Sequence, residues 1–309
     1  MFTVPTRIRR SVTQKIADPL SNKVCEGGIC YVKTQLPSKF FSVRNPRNLT
    51  LTGVAVLELC TTESNSTNAT PSASPSASCS SNPLERIDLG TAADFAILCK
   101  SGVTTTPGSV VGGNIGASPI TVNSITGFGM ILDPSGEFKT SSGSSSVLGR
   151  IYGADLAAPT PAYLGAALAD LWSAHLDAAS RVFPSYIELG AGILDNLTLE
   201  PGLYKWASSL SLTTNVIFDG CPTDIWILQI AGGVIVGASG KVLLEGGALP
   251  ENIFWDIAGD VTVAAAGHLE GIFIATSITF AAGSSLTGAA LVQTAVTLDS
   301  TTIVKESIA

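Results

Sequence analysis

From Gly202 to the C-terminus, apolar and polar positions fall into a repeat. Five stretches align: GLYKWASSLSL (202–212), DIWILQIAGGVIV (224–236), NIFWDIAGDVTV (252–263), EGIFIATSITF (270–280) and TGAALVQTAVTL (287–298). Each holds a β-rich apolar run, a pair of small residues, and a short segment alternating apolar and polar. Those segments are Leu210-Ser211-Leu212, Val234-Ile235-Val236, Val261-Thr262-Val263, Ile278-Thr279-Phe280 and Val296-Thr297-Leu298. A glycine-bearing corner follows, then a third apolar piece such as Val242-Leu243-Leu244 or Leu286-Thr287-Gly288. Val261, Ile278 and Val296 recur at spacings of 17 and 18, whereas Val234 to Val261 is 27, the excess lying around 245–250. A repeat of this length with glycine corners predicts stacked β-solenoid coils. Three short strands per turn predict a triangular cross-section.

Residues 89–132 alternate in the same manner, with Phe95-Ala96-Ile97-Leu98, Ser109-Val110-Val111, Asn114-Ile115-Gly116 and Ile125-Thr126-Gly127 between Gly- and Pro-rich turns. They predict one or two further coils. A single long helical pattern follows. Thr160-Pro161 supplies an N-cap and a proline at the first position. Leu164, Ala167, Leu168, Leu171, Trp172, His175 and Ala178 lie at helical spacing, with an end expected before Pro184.

Side chains alternate across each strand. In the first strand of each coil we take Trp226, Leu228 and Ile230, Ile253, Trp255 and Ile257, and Ile272 and Ile274 as inward. That leaves Ile227, Phe254, Phe273 and Leu291 outward. Strands apolar on both sides are covered on both, so the helix is expected on this face. The second strand differs. With Val261, Val263, Ile278, Phe280, Val296 and Leu298 inward, the outward set is Ser209, Ser211, Thr262, Ser277, Thr279, Ala295 and Thr297. Asp260 and Ile235 interrupt it, and Thr276 and Thr294 stand at the adjoining corner. Coils stack about 4.8 Å apart, so four or five of them make a flat, small-side-chain surface about 20 Å wide. These nine Ser, Thr and Ala residues are the candidate contact site.

Composition narrows the class. The 309 residues are 45% hydrophobic and only 13% charged, with a mean hydropathy of +0.39. General disorder is excluded. A net charge of −7 and pI of about 4.8 argue against nucleic acid as a partner. No apolar run approaches the roughly 20 residues of a membrane span, so a soluble chain is expected. Residues 61–82 (TTESNSTNATPSASPSASCSSN) form a Ser/Thr/Pro tract that buries too little apolar area to fold, hence a flexible linker and a site for O-glycosylation. Residues 1–60 show no clear period. The division expected is 1–84, a weakly ordered extension, and 85–309, the solenoid domain. Residues 1–20 carry Arg7, Arg9, Arg10 and Lys15 without the apolar segment of an ordinary signal peptide. Sequons begin at Asn48, Asn65, Asn68 and Asn196, which matter in a secreted protein.

Candidate chemistry is sparse. Cys25, Cys30, Cys60, Cys79, Cys99 and Cys221 lack metal-ligand spacing; their even number permits disulfides. No nucleophile elbow, His-Glu-x-x-His, phosphate loop or dinucleotide fingerprint occurs. His175 reads as a helix-face packing residue and His268 as a corner residue. β-Helix polysaccharide lyases and hydrolases need grouped acids, yet Asp224, Asp256, Asp260 and Glu270 spread over different strands and corners. Asp256 and Asp260 are read as exposed rung carboxylates. Trp172, Trp206, Trp226 and Trp255 fall at expected core positions, which disfavours a sugar-stacking platform. A non-enzymatic protein without cofactor or metal is expected.

From Leu89 onward the chain resembles the DUF3494 family of ice-binding (antifreeze) proteins. The resemblance rests on LGTAADFAILCKSG (89–102), GNIGASPIT (113–121), ITGF (125–128), YGADLAAPTP (152–161), LEPGLYKW (199–206), DIWILQIAG (224–232), NIFWDIAG (252–259), LEGIFIATSIT (269–279) and LTGAALVQTAVTL (286–298), in order over about two-thirds of the chain. It implies a mainly β, discontinuous right-handed β-solenoid of triangular cross-section with one long α-helix packed alongside. It also implies adsorption to ice through one flat face, with Thr294 matching a threonine of that face and Thr276 its equivalent one coil earlier. In the family a signal peptide directly precedes the Leu-Gly-Thr-Ala segment, where this chain carries the unmatched 1–84 region. The resemblance implies an extracellular monomer whose partner is the ice crystal. The competing reading is an adhesion module for glycan or protein, with 61–82 as its stalk.

Overall fold

A computed structural model of the chain describes residues 84–305 together with two strands, Lys23–Glu26 and Ile29–Val32. The chain divides into two units, Met1–Pro71 and Ser72–Ala309. In the first, the two short strands pair antiparallel with Cys25 opposite Cys30. The rest of the expected extension and the Ser/Thr/Pro tract lie outside the described residues.

The second unit is a stack of parallel coils with three strands per turn. One complete coil runs Gly202–Trp206, Leu210–Leu212 and Asn215–Asp219; the next runs Trp226–Ile230, Val234–Val236 and Lys241–Glu245. Each strand pairs in parallel with its counterpart one coil on. Further along, His268–Ala275 and Ser285–Val292 run through a corner without interruption and serve two sides of the prism at once. The turn there requires glycine. Gly271 and Gly288 are register partners with φ of 118° and 136°, and a Cβ on Gly288 would collide with the Gly271 carbonyl.

The stacking order is not the chain order. Phe95–Cys99 pairs with Ser285–Val292, Gly102–Thr105 with Ala295–Leu298, and Val110–Gly112 with Thr302–Val304. The N-terminal coils therefore continue the stack beyond its C-terminal strands, and Asn114–Ala117 and Ile151–Gly153 extend it further. The further coils expected from 89–132 are present, joined to the opposite end of the stack from the strands that follow the helix.

Inside, the prism is a continuous apolar core from Ile97 and Val103 to Trp226, Trp255 and Phe273. Aromatic rings stack from coil to coil, as Trp255 on Phe273 at 5.1 Å. That pair corrects one expectation. Phe254 is in register with Ile272 and Trp255 with Phe273, so Phe273 points inward and Ile272 and Ile274 point outward. With both sides of the strand apolar, alternation alone leaves its phase undetermined.

The outward residues of that side form a second core beneath the helix, Thr160–Ser180. Leu164, Ala167, Leu171, Ala174 and Ala178 pack on Phe95, Leu98, Ile227, Phe254, Ile272, Ile274 and Leu291. The spacing of those helical residues puts them on one stripe. Two polar clasps fasten the C-terminal half. Gln229 donates to the carbonyls of Ala178 at 2.8 Å and Arg181 at 2.9 Å, satisfying the helix end from the sheet. His175 Nδ1 meets Asp256 Oδ1 at 2.6 Å. Asp256 is thus buried rather than an exposed rung carboxylate; burial pushes its carboxyl above the usual range and His175 partly offsets this. Thr160 does not cap the helix: it is buried and its hydroxyl donates to the Glu137 carbonyl. Trp172 is 49% exposed, against the expectation of a core position, because the stripe that docks is 164/167/171/174/178 and Trp172 lies beside it.

Among the described residues no helix is long and apolar enough to cross a membrane. Cys221 is disulfide-bonded, and Cys99 is a free, buried thiol.

Candidate functional site

Of the two sides of the prism that the helix leaves uncovered, one is a seven-stranded parallel sheet: Leu210–Leu212, Val234–Val236, Val261–Val263, Ile278–Phe280, Ala295–Leu298, Gly102–Thr105 and Ile125–Thr126. Its strands read buried–outward–buried. The inner residues, among them Val261, Val263, Ile278 and Phe280, anchor it to the core. The central outward positions are in register without a shift: Ser211, Ile235, Thr262, Thr279, Thr297, Thr104 and Thr126. All but Ser211 are exposed. Five consecutive coils thus present one threonine each, at about 4.8 Å intervals.

Hydrogen bonding separates the expected site residues into two groups. The hydroxyls of Thr104, Thr126, Thr262, Thr279 and Thr297 bond to no other described residue, so they face solvent unengaged. Those nearer the corner are tied down. Thr276 donates to the Ala258 carbonyl at 2.9 Å and Thr294 to the Thr276 carbonyl at 2.7 Å, each lacing one coil to its neighbour. Ser277 donates to Asp260 at 2.7 Å, and Ser209 accepts from the Gly233 amide at 3.1 Å. Ala295, half-buried, pairs with Gly102. The nine residues singled out from the sequence therefore lie on or beside one sheet, with Ser211, Thr262, Thr279 and Thr297 in the central column and the others flanking it.

Thr104 and Thr126 were absent from the expected site. Both precede the helix in sequence, and only the non-sequential stacking brings them into the column. Their alternation, Val103-Thr104-Thr105 and Ile125-Thr126, is the signal that matches them to Val296-Thr297-Leu298.

The acids and imidazoles each have a partner of their own. Asp224 accepts from the Cys221 amide at 2.8 Å, Asp256 holds His175, and Asp260 holds Ser277. His268 opens a strand and bridges Glu270 at 2.6 Å and Ser285 at 2.7 Å. Each of these acids is therefore engaged by its own donor and not by a second carboxylate.

A helix-flanked solenoid whose bare side is level and studded with unengaged hydroxyls belongs to a class built to contact an extended surface rather than a small ligand. The chain belongs to the Ice-binding-like family, whose model matches residues 97–304. It is 44% identical over 218 residues to the ice-binding protein of Leucosporidium sp. (strain AY30), covering 70% of this chain and 82% of the relative. It is 37% identical over 249 residues to the ice-binding protein of Flavobacterium frigoris (strain PS1), covering 79% and 85%. Among solved structures, an ice-binding protein from an Arctic yeast superposes with a TM-score of 0.70 at 42% identity, over 72% of this chain and 96% of that one.

Proposed function

We propose that this chain is a non-enzymatic ice-binding protein that adsorbs to ice through the threonine column Thr262–Thr279–Thr297–Thr104–Thr126, with Ile235 and Ser211 continuing it and the corner residues Ser209, Thr276, Ser277, Thr294 and Ala295 bordering it. The observation that carries the proposal is the in-register row of exposed threonines with unengaged hydroxyls on an unbroken parallel sheet. Family membership and the relatives' ice binding support it.

Ice offers no charge and no pocket, only a lattice of oxygens. Threonine suits it because its methyl orders neighbouring water while its hydroxyl anchors that water to the protein. The side chain is stiff about χ1, so little conformational entropy is lost on contact. The sheet beneath is locked by parallel ladders and a buried apolar core, so the row arrives preformed. Adsorption of this kind blocks ice growth and recrystallisation without any chemical step.

The disulfide at Cys221 supports an oxidising, extracellular setting. There, Asn196, exposed in a turn, is a glycan acceptor. We take the working unit to be a monomer, with residues 85–309 as the adsorbing domain and residues 1–84 as an extension that precedes it. The test is thermal hysteresis of the purified protein together with coating of a growing crystal by the fluorescently labelled chain. A folded protein that neither depresses the freezing point nor coats the crystal would overturn the proposal.

A further inference from the structure

Between the C-terminal half of the helix and the corner beside the threonine sheet lies an open cleft of about 190 Å³. Trp172, His175, Ile257, Ala258, Thr276 and Gln293 line it. Trp172 is half exposed, while Trp206, Trp226 and Trp255 are fully buried. An indole half exposed at the mouth of a concavity presents an apolar surface to whatever enters, together with an N–H that can donate.

The polar groups around that indole are fixed in place by partners of their own. His175 is held through Nδ1 by the buried Asp256, which sets the imidazole's orientation and leaves Nε2 as its remaining polar atom. Its ring centroid lies 5.3 Å from that of Trp172. Gln293 accepts from Lys100 Nζ through Oε1 at 2.6 Å, which engages the cation and leaves the amide NH2 as a donor. Thr276 spends its hydroxyl proton on the Ala258 carbonyl and keeps lone pairs to accept with. The cleft thus offers an aromatic surface, a fixed donor, a fixed acceptor and an imidazole edge, with the Lys100 ammonium behind Gln293. It is too small for a drug-sized ligand.

A single pyranose ring has the complementary chemistry. One of its faces is a patch of C–H groups that packs on an indole, and its rim is neutral hydroxyls that both donate and accept. We propose that this cleft is a second binding site, for one neutral pyranose unit of a saccharide, with Trp172 as the platform and Gln293, Thr276 and His175 as the polar contacts. It adjoins the threonine sheet at Thr276, and its occupation does not require ice adsorption.

Saturation-transfer NMR on the intact protein, with the methyl glycosides of glucose, mannose, galactose and N-acetylglucosamine as probes, tests this. At least one glycoside should show saturable transfer with a dissociation constant of about millimolar. Because the other tryptophans are buried, the same titration should blue-shift the emission of Trp172. Trp172→Ala should abolish transfer, Trp172→Phe should retain part of it, and Gln293→Ala should weaken it about tenfold, the loss of one hydrogen bond. Circular dichroism and ice coating should be unchanged in all three. Co-sedimentation with chitin, cellulose and β-1,3-glucan then separates a polymer ligand from a free sugar. No saturable transfer from any of the four probes up to saturating solubility, or transfer that survives Trp172→Ala, overturns the proposal.

Discussion

Thr104 and Thr297 lie side by side as register partners on the open sheet, although the helix and five coils separate them along the chain. The pair marks the seam at which the N-terminal coils meet the C-terminal ones. It also converts a short row of three threonines into one that crosses most of the sheet.

If the row acts as one surface, its two halves should be equally sensitive. Thr104→Tyr and Thr279→Tyr each place a bulky ring on the level face. Both are expected to reduce thermal hysteresis sharply. Neither touches the core, so the melting temperature should move by less than about 2 °C. Loss of activity from Thr279→Tyr but not from Thr104→Tyr would confine the contact surface to the C-terminal coils.

Asp260 is exposed in the row flanking Thr262 and accepts from Ser277. An ionised carboxylate keeps its own water shell, and stripping that shell against a solid costs several kcal/mol. Asp260→Ser removes the charge and puts in its place a hydroxyl like those around it. Thermal hysteresis should rise. An unchanged or lower value at equal folding would place Asp260 outside the contact.

The helix clasps can be released one at a time. Gln229→Ala leaves the buried carbonyls of Ala178 and Arg181 without their donor. Urea unfolding should show a loss of about 2 kcal/mol, which is roughly 4–8 °C in melting temperature. Asp256→Ala should cost a similar amount by leaving His175 unpaired. Since both residues face away from the threonine sheet, ice coating below the melting transition should persist.

Burial pushes the Cys99 thiol from an ordinary value of 9.0 up to about 11. The unfolded chain therefore releases this proton first as the pH rises. The stabilising contribution is complete below about pH 9 and is lost by about pH 11, amounting to roughly 2–3 kcal/mol. Unfolding free energies measured from pH 8 to 11 should fall more steeply for the native chain than for Cys99→Ala. The tyrosines raised by burial, Tyr163 and Tyr204, are common to both and cancel.

Much of this architecture was legible one residue at a time. Alternation is a local property: Val261-Thr262-Val263 can place its threonine only opposite its two valines, whatever lies on the neighbouring coil. The same reasoning marked the helix from its stripe and put it on the doubly apolar side. Where both sides of a strand are apolar, local pattern has no purchase, and Phe273 faces inward against the alternation for that reason. Trp172 is likewise half exposed because a helical stripe read from spacing is broader than the one that docks.

The sequence by itself determined the coil, its three sides and which side carries the threonines, since these follow from periodicity within about twenty residues. Tertiary structure alone decided the order in which coils stack, and hence that Thr104 and Thr126 join Thr297. Any two coils with compatible edges can pair in parallel, so the choice of neighbour depends on packing across the whole prism and not on either segment.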